Sequence, residues 1–208
     1  MSVITKPESP WPKFEILSQD GRRQRSGRSR RRIIEALFDL LSQGNMSPTA
    51  AAVAERANVG LRTVFRHFED MESIYLEMTE ELETAIMPKI LAPYEAHTWR
   101  DRILEAADKR AEIYESVFPM KVCMSLRSVD SDVLRKQYDR DVETHRAALK
   151  AILPEEVTAD PKMFAALEVT LSFATWRRLR QDQKMSREAA TETVKLMLQG
   201  LIAGTSPS

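Results

Sequence analysis

The sequence predicts an all-α protein of about nine helices. Three observations carry that reading: apolar residues recur at three- and four-residue spacing along most of the chain, runs of β-branched and aromatic residues are scarce, and only six of 208 residues are glycine. With 43% hydrophobic and 30% charged residues, the chain can bury a core and still wet its surface.

Residues 1–20 contain Pro7, Pro10 and Pro12 and keep no period, which reads as a mobile leader. Arg22, Arg23, Arg25, Arg28, Arg30, Arg31 and Arg32 follow, so residues 1–28 are expected to form a flexible basic arm ahead of a small domain at 29–75. Ile33, Ile34, Leu37, Phe38 and Leu41 place one apolar stripe on a first helix of about 29–43, stopped by Gly44 and Asn45. Ser47-Pro48 supplies a capping hydroxyl and a first-turn proline for a second helix of about 48–57. Asn58-Val59-Gly60 is a three-residue turn in which asparagine tolerates a left-handed backbone, and a third helix runs to about Phe68. Further helices are expected at 71–91, 99–118, 120–128, 131–152, 161–182 and 186–203, with Asp160-Pro161 and Ser186 as start signals for the last two. They make up a larger helical region, 76–208.

Lys+Arg and Asp+Glu both total 31, but residues 20–70 hold ten basic against six acidic side chains. The basic end is the candidate for an anionic partner. Two short helices joined by a three-residue turn behind a longer amphipathic one match a helix-turn-helix unit. In the third helix Leu61, Val64, Phe65 and Phe68 form one stripe, assigned by periodicity to the core, while Arg62, Thr63, Arg66 and His67 form a donor-rich face suited to base edges or phosphates. Taken alone, that polar face is also compatible with an ordinary solvated surface.

At these residues the sequence resembles the tetracycline-repressor (TetR) family of regulators. Gly44, Thr49, Val53-Ala54, Ala57, Val59, Thr63 and Phe68 match the family's glycine, second-helix threonine, core, turn and recognition helix, and the resemblance runs over about a quarter of the chain. It implies a sequence-specific transcription regulator, probing double-stranded operator DNA through Thr49 and the third helix, with Leu61 and Phe65 also near the duplex. The family often has serine or threonine where Gly60 stands, tyrosine at Phe65 and lysine at Met71, so backbone affinity must come from elsewhere. Arg28, Arg30 and Arg31 of the arginine run are the substitute, tracking phosphates or entering the minor groove. The resemblance further implies a repressor released by a small-molecule effector. The competing reading is an all-helical small-molecule binding protein that no longer reads an operator.

Phe164, Leu167, Leu171 and Trp176, then Val194, Met197, Leu198 and Leu201, make the last two predicted helices apolar on more than one side. Packing against both the core and a second copy would explain this, and in the resembling family such helices build a four-helix homodimer bundle. Met78, Leu82, Trp99, Ile103, Tyr114, Phe118, Met120, Cys123 and Met124 could line an effector cavity or simply fill a core. The lone Cys123 offers no disulfide and fits a reducing, cytoplasmic setting; no stretch approaches the roughly 18 apolar residues of a membrane span. His67, His97 and His145 lack metal-ligand spacing, no phosphate loop or nucleophile elbow occurs, and acidic pairs such as Glu80/Glu81 read as solvated surface. Neither an enzyme, a cofactor nor a metal is therefore expected.

Overall fold

The computed structural model describes residues 21–203, with side chains from residue 27 onward. Ten α-helices follow in order: α1 (Gly21–Ser42), α2 (Ala50–Arg56), α3 (Leu61–His67), α4 (Met71–Ile90), α5 (Trp99–Arg127), α6 (Asp132–Lys150), α7 (Glu155–Ala159), α8 (Pro161–Thr170), α9 (Phe173–Arg177) and α10 (Arg187–Ala203). A π-helical turn, Arg178–Asp182, continues α9, and no strand occurs among the described residues. Residues 1–20 of the expected arm lie outside the described residues, whereas 21–28 are the opening turns of α1.

Most helices begin on a short polar side chain that accepts from an otherwise unpaired amide. Thr49 accepts from Ala52 N at 3.2 Å, Asp160 from Lys162 N at 2.9 Å, and Ser186 from Ala189 N at 3.1 Å. Ahead of α4, Asp70 accepts from Ser73 N at 2.8 Å while Ser73 Oγ accepts from Asp70 N at 3.3 Å, a reciprocal cap. The second helix thus starts on Thr49 rather than on Ser47. Pro48 is buried just before the cap, and Ser47 Oγ accepts instead from Arg127 Nη2 at 2.7 Å. At the other end of α1, Gly44 takes the left-handed backbone (φ +89°) expected of a helix stop.

The chain forms two compact units. The first takes the chain up to Met87 together with Pro119–Tyr138. Its core joins Ile33, Ile34, Leu37 and Leu41 of α1 with Val53 and Ala54 of α2, Val64 of α3, and Ile74, Met78 and Leu82 of α4. It is larger than residues 29–75 because α4 buries this apolar face in it, and because Thr79 of α4 donates to the Met120 sulfur at 3.9 Å. Cys123 is buried with its thiol toward the Met46 carbonyl at 3.7 Å, and burial pushes its pKa up, so it serves as a small hydrophobe.

The second unit comprises Pro88–Phe118 and the chain from Asp139. Two predicted boundaries differ here. The helices expected at 99–118 and 120–128 are one, α5, running through Pro119: the lost backbone bond is outweighed by burial of Val117, Met120, Val122 and Cys123 on either side. The single helix expected at 161–182 is instead broken at Leu171, because Ser172 caps a new helix by accepting from Thr175 N at 3.2 Å. The break frees the Leu171 carbonyl, which accepts from Arg110 Nη1 at 2.9 Å and from the Tyr114 hydroxyl at 3.0 Å. Burial pushes the Tyr114 pKa up to about 12, so this donor keeps its proton.

Glu115 anchors the segment after the break. It accepts from Trp176 Nε1 at 3.0 Å and from Arg180 Nε at 2.7 Å and Nη2 at 3.0 Å, and Arg180 also donates to the Met185 carbonyl. Truncating the carboxylate leaves the indole N–H and the guanidinium without their acceptor. Glu115→Ala is expected to lower stability by about 3 kcal/mol in urea unfolding, while Glu115→Gln, which keeps one acceptor, costs less.

Candidate nucleic-acid interface

A seven-residue helix cannot hold itself together in water, so α3 owes its position to its surroundings. Asn58 opens the turn in the left-handed region (φ 51°), as its short amide allows. Val64 and Phe68 then fix the helix from below, at 1% and 3% exposure. Arg32 reaches over from α1 and donates to the carbonyls of Ala57 and, at 2.7 Å, Asn58, clamping the turn. Gly60 precedes α3 and offers no side-chain cap.

Leu61 and Phe65 correct the periodicity reading. They are 45% and 53% exposed and are not core residues. Seven residues span only two turns, so the i, i+3, i+4, i+7 stripe is too wide for one buried contact, and the three-helix core takes only its Val64–Phe68 edge. With Arg62 and Arg66, which are exposed and carry no hydrogen bond or ion pair among the described residues, they form one continuous outward face. Thr63 is half-buried at its margin, and Thr49 is exposed at the start of α2 with its hydroxyl engaged in the cap.

Other predicted contacts sit elsewhere. His67 Nε2 is buried without a hydrogen-bond partner among the described residues, and burial, then the Arg66 and Arg30 charges, lower its pKa. With that nitrogen buried, the ring is poorly placed to meet a phosphate. Arg28 is exposed, but Arg31 pairs with Glu35 at 2.9 Å, and Arg30 is turned inward onto Glu77 of α4 and the His67 carbonyl. The periodic signal in a basic helix cannot distinguish an arginine aimed at solvent from one aimed at a carboxylate 47 residues away in sequence.

The remaining candidates divide between the units. Met78, Leu82, Met120, Cys123 and Met124 are buried in the first. In the second, Ile103 and Tyr114 are buried and Trp99 and Phe118 half-buried; Phe173 packs edge-on against both Tyr114 and Phe118, at 5.4 Å between ring centroids in each case. Tyr114 also lines a cavity of about 10 Å³ with Arg110, Thr170 and Trp176, room for about one water. Of the predicted dimer residues, Leu167, Leu171, Trp176, Val194 and Leu198 are sealed inside the chain, whereas Phe164, Met197 and Leu201 are half-exposed. The large apolar side chains exposed on these helices are Val169 and Leu196; Leu196 belongs to the many-sided apolar pattern of the last helix, and Val169 is the one the sequence reading missed. Among the described residues no cluster of three or more His, Cys, Asp or Glu could hold a metal, and no helix is long and apolar enough to cross a membrane.

Three packed helices with a short, outward-facing third define a helix-turn-helix DNA-binding protein. Residues 33–78 match the family model of bacterial regulatory proteins, tetR family, a span that holds α2, α3 and their turn. Residues 33–78 thus form a DNA-binding domain similar to that of the tetR family, and the chain is a DNA-binding transcription regulator. Its fold is similar to the crystal structure of a transcriptional regulator from Rhodococcus sp. Rha1, with 17% identity and a TM-score of 0.68 over 86% of this chain and 100% of that one. No curated protein matches the sequence.

Two outcomes are expected from this geometry. Phe65→Ser should change unfolding free energy by no more than about 0.5 kcal/mol, whereas Phe68→Ala should cost about 3–5 kcal/mol. Equal losses would return Phe65 to the core. Glu81 of α4 has one buried carboxylate oxygen without a partner, and burial, opposed by Arg31 and reinforced by Glu77 and Glu35, raises its pKa. A raised folded-state pKa means the ionised form is penalised above it and the penalty disappears once folded and unfolded chains are both protonated. Glu81→Gln should therefore raise the melting temperature at pH 7, and the gain should fade as the pH falls toward 4.5, the ordinary value of a glutamate carboxyl.

Proposed function

We propose that the protein is a homodimeric repressor whose α3 helices read an operator and which a small-molecule effector releases. The observation that carries DNA reading is the exposed face Leu61, Arg62, Phe65 and Arg66, an unpaired basic and aromatic surface on a helix otherwise locked into a core. Arg62 and Arg66 supply bidentate donors to guanine edges, and Phe65 and Leu61 supply apolar contact to thymine methyls or sugar. Thr49, Arg28 and the leading arginines position the duplex through its phosphates. In a dimer the two α3 helices fall about one duplex turn apart, roughly 34–36 Å, on a palindromic site.

The dimer reading is supported by Val169 and Leu196, exposed on α8 and α10, beside half-exposed Phe164, Met197 and Leu201. The effector reading is supported by the methionine and aromatic side chains of residues 76–208, and the release follows if the effector binds better to a state whose α3 spacing misfits the operator. Sedimentation at micromolar concentration should give a dimer for the intact chain and a monomer for Val169→Glu with Leu196→Glu. A monomeric parent would remove the palindromic site from the reading.

The DNA test uses a duplex selected by the protein from a random-sequence library. Arg62→Ala and Arg66→Ala should fold normally, lose about 1–3 kcal/mol on the selected duplex at fixed salt, and lose much less on random sequence. Equal losses on both would make these arginines phosphate contacts only. No loss on either would make the face an ordinary solvated surface.

A further inference from the structure

Arg30 stands in a run of arginines that the sequence assigns to DNA, yet each of its three guanidinium nitrogens donates inside the first unit. Its Nε and Nη2 form a two-point ion pair with both carboxylate oxygens of Glu77 on α4. Its Nη1 donates to the His67 carbonyl at 2.5 Å, at the last turn of α3, and its plane lies over the Phe68 ring at 4.3 Å. One planar cation from α1 therefore joins the C-terminal end of the recognition helix to the middle of α4. A carbonyl at a helix C-terminus is an electron-rich acceptor, and a guanidinium is the side chain that can serve it, a carboxylate and an aromatic face together.

We infer that Arg30 is a positioning residue, a coupler that sets the orientation of α3 from α4 rather than a DNA contact. The inference rests on the reading of α3 as the DNA-reading helix. Because α3 is two turns long and has no side-chain cap at Gly60, its C-terminal end has few other holds: Phe68 in the core, which Arg30 itself covers, and the Phe68 N–H to Val64 carbonyl bond at 2.9 Å. A shift of α4 that displaces Glu77 must then either break a charge-assisted pair or carry the His67 end of α3 with it.

The test separates coupling from simple electrostatics by sign. Glu77→Gln removes a negative charge from a DNA-binding domain, which alone should tighten binding to any duplex. If Glu77 instead holds Arg30 in place, the variant should bind the library-selected duplex about tenfold more weakly, with random-duplex affinity no weaker than the parent's. Arg30→Lys, which keeps the charge but loses the planar fork, should behave alike on the selected duplex, with the slope of log affinity against log salt unchanged. The double variant should lose little more than either single one. Measured on the full chain, Arg30→Gln with a slope flattened by about 0.9 and equal losses on both duplexes would make Arg30 a phosphate contact and overturn the inference. Tighter binding by Glu77→Gln on both duplexes would overturn it too. Amide exchange supplies the readout that needs no DNA: residues 64–68 should exchange about tenfold faster in both variants while α2 keeps its protection. If the parent selects no duplex, the DNA reading fails, and the coupling still stands or falls on that exchange pattern; if Arg30→Lys does not fold, Glu77→Gln carries the comparison.

Discussion

The fixing of a two-turn helix by its neighbours is the constraint on which the rest of this molecule depends. Seven residues cannot recover the cost of nucleating a helix from their own hydrogen bonds, so α3 exists because Val64 and Phe68 enter a core supplied by α1, α2 and α4. That arrangement leaves the opposite side free. Leu61, Arg62, Phe65 and Arg66 are outward because the core can take only one edge of so short a cylinder, and the exposure that makes the face available for DNA is the geometric remainder of the burial that holds it.

Arginine chemistry divides along the same line. Arg32 and Arg30 spend their donors on backbone carbonyls at the two ends of α3, Asn58 and His67, and Arg30 adds Glu77. Arg62 and Arg66 have no such partners among the described residues. The same residue type thus builds the frame and furnishes the contact surface, and only the position of acceptors in space tells which is which. In the second unit the equivalent device is Glu115, which gathers Trp176 and Arg180 and holds the irregular stretch after the break at Leu171.

Much of the fold was legible in the chain. The helix-turn-helix lengths, the turn at Asn58, the stop at Gly44 and the starts at Asp160 and Ser186 follow from backbone preferences and from which side chains can satisfy a free amide, and these act over three or four residues. The errors arose where a local signal competed with another. Ser47-Pro48 resembles a helix start as closely as Thr49 does, and Pro119 resembles a stop, but burial of the flanking apolar residues carries α5 through it. The cap at Ser172 was visible as a serine three residues before Thr175, and a continuous apolar period masked it.

The sequence by itself determined the helical class, the basic N-terminal domain and the short third helix behind its three-residue turn, because these rest on composition, short-range capping and periodicity. Tertiary structure decided between the core and outward readings of Leu61 and Phe65, and it alone decided that the His67 Nε2 is buried, that Leu167, Leu171 and Leu198 are interior while Val169 and Leu196 are not, and that Arg30 pairs with Glu77 of α4. Periodicity states how far around a helix two side chains lie from each other, but not what lies across from them. Glu77 is 47 residues from Arg30 in the chain, and only folding brings its carboxylate to the guanidinium.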